Sequence, residues 1–116
     1  MSRFETAIEK IDAANGADPN METFEGETCP KELLYGRRMS AWLDKMEPNA
    51  SEALRLAARA QHIRRWEISR RDYPEGKKGY FLWRTTLYRF HADKAAGILE
   101  ECGYDGDTIE RTRQLL

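Results

Sequence analysis

The sequence predicts an all-α protein, a five-helix bundle, and three observations carry that prediction. Apolar residues recur every three to four positions through five segments. Asn, Gly and Pro residues separate those segments, with residues suited to helix caps beside them. No stretch alternates apolar and polar residues long enough to signal a strand. The 116 residues fit one domain spanning 1–116. A chain of this size buries roughly two thirds of its unfolded surface, so it needs no disulfide or structural metal to hold a core.

The first helix covers Ser2 to Ala14, with Phe4, Ala7, Ile8, Ile11 and Ala14 on one face. Ser2 and Glu5 make a capping-box pattern, and Asn15–Gly16 supplies the stop. Residues 17–29 contain Pro19, Gly26 and several acidic side chains without a sustained period, and read as an irregular connection. Pro30 suits the first turn of a second helix capped by Thr28 or Cys29, whose apolar side is Leu34, Tyr35, Met39, Trp42, Leu43 and Met46. Glu47–Pro48 ends it.

Asn49 is positioned to cap a third helix carrying Ala53, Leu54, Leu56, Ala57, Ala58, Ala60 and Ile63 and running on to Trp66. Its small apolar residues lie nearly all round, which predicts a central helix that neighbours approach closely. Residues 67–79, with Pro74, Gly76 and Gly79, read as a loop. A long helix from about Tyr80 to Cys102 follows, stopped by Gly103. Asp105 or Asp107 caps the last helix, which holds Ile109, Thr112, Leu115 and Leu116. That helix has no stop signal. Either its two leucines pack locally, or the chain is the N-terminal part of a longer domain; the pattern favours the second.

Cys29 and Cys102 belong to no CxxC or CxxH pattern and read as reduced thiols, not as a zinc or redox pair. MSRFETAIEK carries charges where a signal peptide needs an apolar run, and no run of about 18 apolar residues offers a membrane span. A cytoplasmic protein with no membrane partner is expected.

The formal net charge is −1, but it is unevenly spread. Residues 1–60 and 91–116 each carry a net −3, while 61–90 carry +5. The basic block also holds Trp66, Tyr73, Tyr80, Trp83 and Tyr88. Arginine forks grip phosphate or carboxylate, and flat aromatic rings receive bases or apolar groups. The block therefore suits an anionic ligand, unless its arginines pair with the acidic flanks and its aromatics fill the core. Gly76-Lys77-Lys78-Gly79 lacks the P-loop pattern and follows no strand, so it is no P-loop.

Both histidines fall at informative places. His62 lies near the end of the third helix with Arg65 three residues on. His91 shares the stripe of the long helix with Arg84, two turns or roughly 10 Å away. Histidine near its ordinary pKa serves as metal ligand or acid/base group. On facing helices, His62 and His91 are the candidate proton-handling residues, Arg65, Arg70 and Arg84 the anion clamps, and Trp83 an aromatic wall. The nearby carboxylates Glu67, Asp72 and Asp93 show no metal-ligand spacing, and no nucleophile is marked.

AARAQHIRRW (Ala57 to Trp66), RRDYP (Arg70 to Pro74), the GY, WR and FHA elements between Gly79 and Ala92, and GYD (Gly103 to Asp105) together resemble the DUF4202 family. FETAIEKIDAAN, the DPN at Asp18 to Asn20, and PKELLYGRRMSAWL extend the resemblance over nearly the whole chain. Ser69 departs from it, standing where the family tends to have proline. Members of that family run on beyond the position of Leu116, with a basic stretch and then an acidic helix.

More remotely, the arrangement is similar to the HD-domain phosphohydrolases, helical enzymes whose His and Asp side chains hold divalent metals that activate water. That likeness puts the first histidine position at Tyr35 and the His-Asp pair at Gln61–His62, with the last aspartate beyond Leu116. It implies a degenerate HD-like domain and adds Tyr35 and Gln61, with neighbouring Arg38, to the expected pocket.

The combined expectation is a domain that binds a phosphate-bearing small molecule or nucleotide in a His/Arg/aromatic pocket. A divalent metal and phosphoester hydrolysis would belong to the full-length protein. The alternative is a non-catalytic module binding protein or RNA through the basic 61–90 face.

Overall fold

The computed structural model describes residues 2–116. Ser2 opens α1 (Arg3–Gly16) with the expected capping box: its Oγ accepts from the Glu5 amide at 3.0 Å, and Glu5 Oε1 accepts from the Ser2 amide at 3.3 Å. Phe4, Ala7, Ile8 and Ile11 turn one side of α1 inward.

The connection that follows is more ordered than its sequence suggests. β1 (Met21–Phe24) and β2 (Glu27–Pro30) form an antiparallel hairpin, with Met21 opposite Pro30 and Phe24 opposite Glu27. Glu25 and Gly26 close it with φ of 51° and 83°. Left-handed backbone at both central positions matches the twist of the flanking strands. The expectation of an irregular segment without strands is therefore corrected. Its strands are four residues long and mostly exposed, so no apolar alternation marks them.

α2 (Lys31–Met46) starts directly from β2, so Thr28 and Cys29 are strand residues and neither caps it. Pro30 occupies the cap position without a side-chain bond. Buried Asp18 fills that role from a distance: its Oδ2 accepts from the Glu32 amide at 3.0 Å, while Oδ1 holds the Asn20 amide at 2.8 Å. Asp18 thus ties the hairpin base to the start of α2.

α3 (Glu52–Arg59) is capped by Ser51, whose Oγ accepts from the Leu54 amide, and not by Asn49. It also ends seven residues before the expected Trp66. The chain turns through Ala60–Ile63, and Arg64 takes a left-handed φ of 51°. Buried Asn15 stabilises this break by accepting the Arg64 amide at 3.1 Å. α3 is nevertheless central, packing on α1, α2 and α5. The crossing with α2 is close: a Cβ at Gly36 would stand 2.9 Å from the Arg59 carbonyl oxygen.

Two short 3₁₀ turns, Arg65–Glu67 and Arg70–Asp72, occupy the expected loop. α4 (Lys77–Glu101) begins three residues earlier than predicted, so Lys77-Lys78-Gly79 forms its first turn. Asp105 caps α5 (Gly106–Leu115), its Oδ1 accepting from the Thr108 amide at 2.7 Å. The core comprises Ala7, Ile11, Leu56, Ala60, Ile63, Ala95, Leu99 and Tyr104, with Leu116 packed against it. The architecture is thus helical with one small hairpin. Among the described residues, no helix is long and apolar enough to cross a membrane.

Candidate functional site

The break after α3 directs His62 and Arg65 away from the core toward α2 and the N-terminal half of α4. The His62 ring stacks on Tyr35 of α2, with centroids 3.8 Å apart and planes 6° from parallel. His62 Nδ1 lies 3.2 Å from Oε1 of buried Glu32, and Arg65 Nη1 lies 3.2 Å from His62 Nε2. The carboxylate accepts, so Nδ1–H donates to Glu32, while Arg65 Nη1, 3.5 and 3.2 Å from the two ring nitrogens, lies over the ring face. The Arg65 guanidinium also stands 5.3 Å from the Trp83 ring centre. Trp83 is fixed in turn, its Nε1 donating to the Ile68 carbonyl at 2.8 Å.

Two hollows flank the His62–Arg65 wall. On one side is a groove of about 640 Å³ lined by Tyr35, Arg38, His62, Arg65, Arg70 and Trp83 among others. On the other is a pocket of about 60 Å³ lined by Gln61, His62, Arg65, Arg84, Leu87, Tyr88 and His91. All nine expected residues therefore border one hollow or the other. The two histidine rings lie 6.2 Å apart, centre to centre.

Their settings differ from one another. His91 is 5% exposed, and its Nε2 has no hydrogen-bond partner among the described residues. Burial first, then the neighbouring His62 ring and Arg65 guanidinium, which disfavour a further positive charge, push its pKa down to about 4, so His91 is neutral at pH 7. Burial also raises the Tyr35 phenol above its ordinary value.

The arginines likewise divide. Arg70 holds the loop together, with Nη1 donating to the carbonyls of Tyr73 and Pro74 at 3.2 and 2.8 Å. Those bonds explain how the 3₁₀ segment keeps its shape beside α4. A Cβ at Gly79 would lie 1.7 Å from the Pro74 carbonyl oxygen, so only glycine lets α4 start against that loop. Arg84 donates to the hydroxyls of Tyr80 and Tyr88 at 3.2 and 2.6 Å, and its pKa is raised chiefly by the Tyr88 bond. Arg38 stands 3.5 Å from Glu22 and over the Phe24 ring, linking the hairpin to the groove.

Neutralisation of the basic block by flanking carboxylates is slight. Within 61–90, the ion pair formed by an arginine or lysine is Arg64 with Glu67, among the described residues. The groove carries Lys31, Arg38, Arg65, Arg70 and Arg71 against Glu22 and Glu32, so its lining is predominantly cationic. Lys31, Arg71 and Glu32 were not read from the sequence as site residues. Glu32 lies 30 positions from His62 and carries no local pattern that would join them.

The donor set does not fit a divalent metal. The HD-like positions hold a phenol, an amide and an imidazole, at Tyr35, Gln61 and His62. His62 is already engaged by Glu32 and Arg65, and no three His, Cys, Asp or Glu side chains converge among the described residues. Metal sites of the hydrolytic type use at least three such ligands.

Fold and site together define a small helical protein in which a histidine–arginine wall separates a cationic aromatic groove from a small pocket. The chain belongs to the family described as domain of unknown function DUF4202, whose family model matches residues 5–116. No curated protein and no solved structure matches it.

Proposed function

We propose that the groove and pocket bind a phosphate-bearing small molecule or nucleotide. The observation that carries this reading is Arg65. Its guanidinium has no carboxylate partner among the described residues and is held between His62 and the Trp83 face, at the wall both hollows share. An orientated guanidinium with spare N–H groups suits a phosphate, and Trp83, Trp66 and Tyr35 offer rings to a base or other flat group. Hydrolysis is not part of the reading, because the residues present do not assemble a metal site. His62 serves as a ligand contact positioned by Glu32 and Tyr35.

The test is a thermal-shift series of nucleotides and sugar phosphates, repeated with Arg65→Gln and at rising salt. A ligand at 100 times its Kd stabilises the folded state by about 2.7 kcal/mol, enough to move the melting temperature by several degrees. The expected result is such a rise with at least one nucleotide or sugar phosphate, lost in Arg65→Gln. Single-stranded RNA binding that weakens steeply with salt, with no small ligand detected, would overturn the reading in favour of an interaction module.

A further inference from the structure

Two buried side-chain polar atoms lack a partner among the described residues: Tyr104 Oη and His91 Nε2. Tyr104 belongs to the core cluster, with Arg3 over its ring. His91 lines the small pocket, where an unsatisfied nitrogen calls for a guest.

We infer that this pocket is a subsite for a terminal phosphoryl dianion, with inorganic phosphate as its smallest occupant and the rest of a phosphomonoester crossing His62 into the groove. The inference rests on the phosphate-ligand reading above and narrows it to one chemical class.

Size is the first argument. A volume of about 60 Å³ corresponds to roughly four to six water-sized positions, which suits the four oxygens of a tetrahedral oxyanion. A diester gives up one of the charged terminal oxygens that those positions would hold, which disfavours diesters. Donor chemistry is the second argument. Arg84 commits one N–H from each Nη to a tyrosine hydroxyl, which leaves three of its five donors. Tyr88 Oη accepts from Arg84, so its own O–H is directed elsewhere. Arg65 uses Nη1 on the His62 ring and retains its other donors. Gln61 contributes an amide, and neutral His91 can present Nε2–H. Among the described residues no carboxylate lines the pocket; Glu32 lines the groove on the other side of His62.

The experiment is isothermal titration at pH 8 and low salt with inorganic phosphate, phenyl phosphate and dimethyl phosphate. Phosphomonoesters, with a second pKa near 6, are dianions there, whereas the diester keeps a single charge. The expected result is binding of the first two and at least tenfold weaker binding of dimethyl phosphate. Arg84→Gln should weaken the first two at least tenfold. Arg71→Gln, which changes a groove cation outside the pocket, should leave inorganic phosphate within twofold. Where Arg84→Gln lowers the melting temperature, Tyr88→Phe tests the same wall with a smaller change and should still weaken phosphate at least threefold.

Equal binding of dimethyl phosphate would overturn the subsite. Insensitivity to both pocket variants, combined with loss in Arg71→Gln, would also overturn it and place the anion in the groove. Failure of inorganic and phenyl phosphate to bind overturns it as well. Continued stabilisation by larger nucleotides would then leave the wider reading standing, and absence of that stabilisation too would remove both.

Discussion

The two ends of α4 are built on different physics. From His91 onward, Ala92, Ala95 and Leu99 are buried, and this half of the helix lies against the core that α1, α3 and α5 complete. Toward its start, Tyr80, Phe81, Leu82 and Tyr88 are exposed, while Trp83, Arg84 and Leu87 border the two hollows. One end gains stability from close apolar contact. The other keeps partly satisfied polar groups, loop staples and stacked rings in place. Exposed rings and arginine donors gather at that end, and the binding proposed above is placed there.

The largest expected effect separates those ends directly. Leu99 is 1% exposed within the core cluster, and Leu99→Ala should leave a cavity costing about 2–5 kcal/mol. Chemical denaturation would register this as a lower midpoint. Below the transition, the folded variant should bind ligand as the parent does. A large loss of affinity in the folded variant would show that the two ends do not act separately.

His91 gives the next effect, because it stands where the ends meet. Its folded pKa is about 4 against an ordinary 6.5, so the unfolded chain holds more protons between those values. Its contribution is therefore fully present above pH 6.5 and is lost as pH falls toward 4, in total about 3 kcal/mol. His91→Leu should lack this part of the acid sensitivity. Denaturation midpoints of both proteins between pH 7.5 and 4 test the point: parallel pH profiles would refute burial of a neutral imidazole.

What was legible in the sequence follows the range of the interactions. The Ser2–Glu5 box acts within three residues and stands in the structure as read, and of the two candidate caps Asp105 and Asp107 the structure uses Asp105. The apolar stripes of α1 and α4 likewise locate the core. The neighbourhood of His62 and His91 followed from placing two histidines on helices that could face each other. Non-local contacts were hidden. The early end of α3 depends on Asn15, 49 positions from Arg64, and Glu32 reaches His62 across 30. Arg70 looked like an anion clamp because its sequence shows the charge but not the loop carbonyls that occupy its donors. The hairpin was missed because its signal is backbone conformation at Glu25–Gly26, which composition alone barely marks.

The smallest expected effect tests whether the end that borders the groove has local supports of its own. Asp18 caps α2 from outside the helix and also holds Asn20, so Asp18→Ala removes a cap and loosens the hairpin base together. Loss of a helix cap costs roughly 0.5–2 kcal/mol, less than the Leu99 cavity. The damage should be local. Hydrogen exchange should speed up at the Glu32 amide, while the amides of Ala95 and Leu99 retain protection near that set by global stability. Because Glu32 rides on that first turn, Tyr35 follows directly on it, and both hold His62, ligand affinity should fall even where the protein remains fully folded. This would invert the Leu99→Ala result, in which stability falls and affinity does not. Unchanged exchange at Glu32 would mean that the start of α2 is held by the hairpin backbone, through the Lys31 amide on the Asn20 carbonyl at 2.8 Å, and that Asp18 adds little.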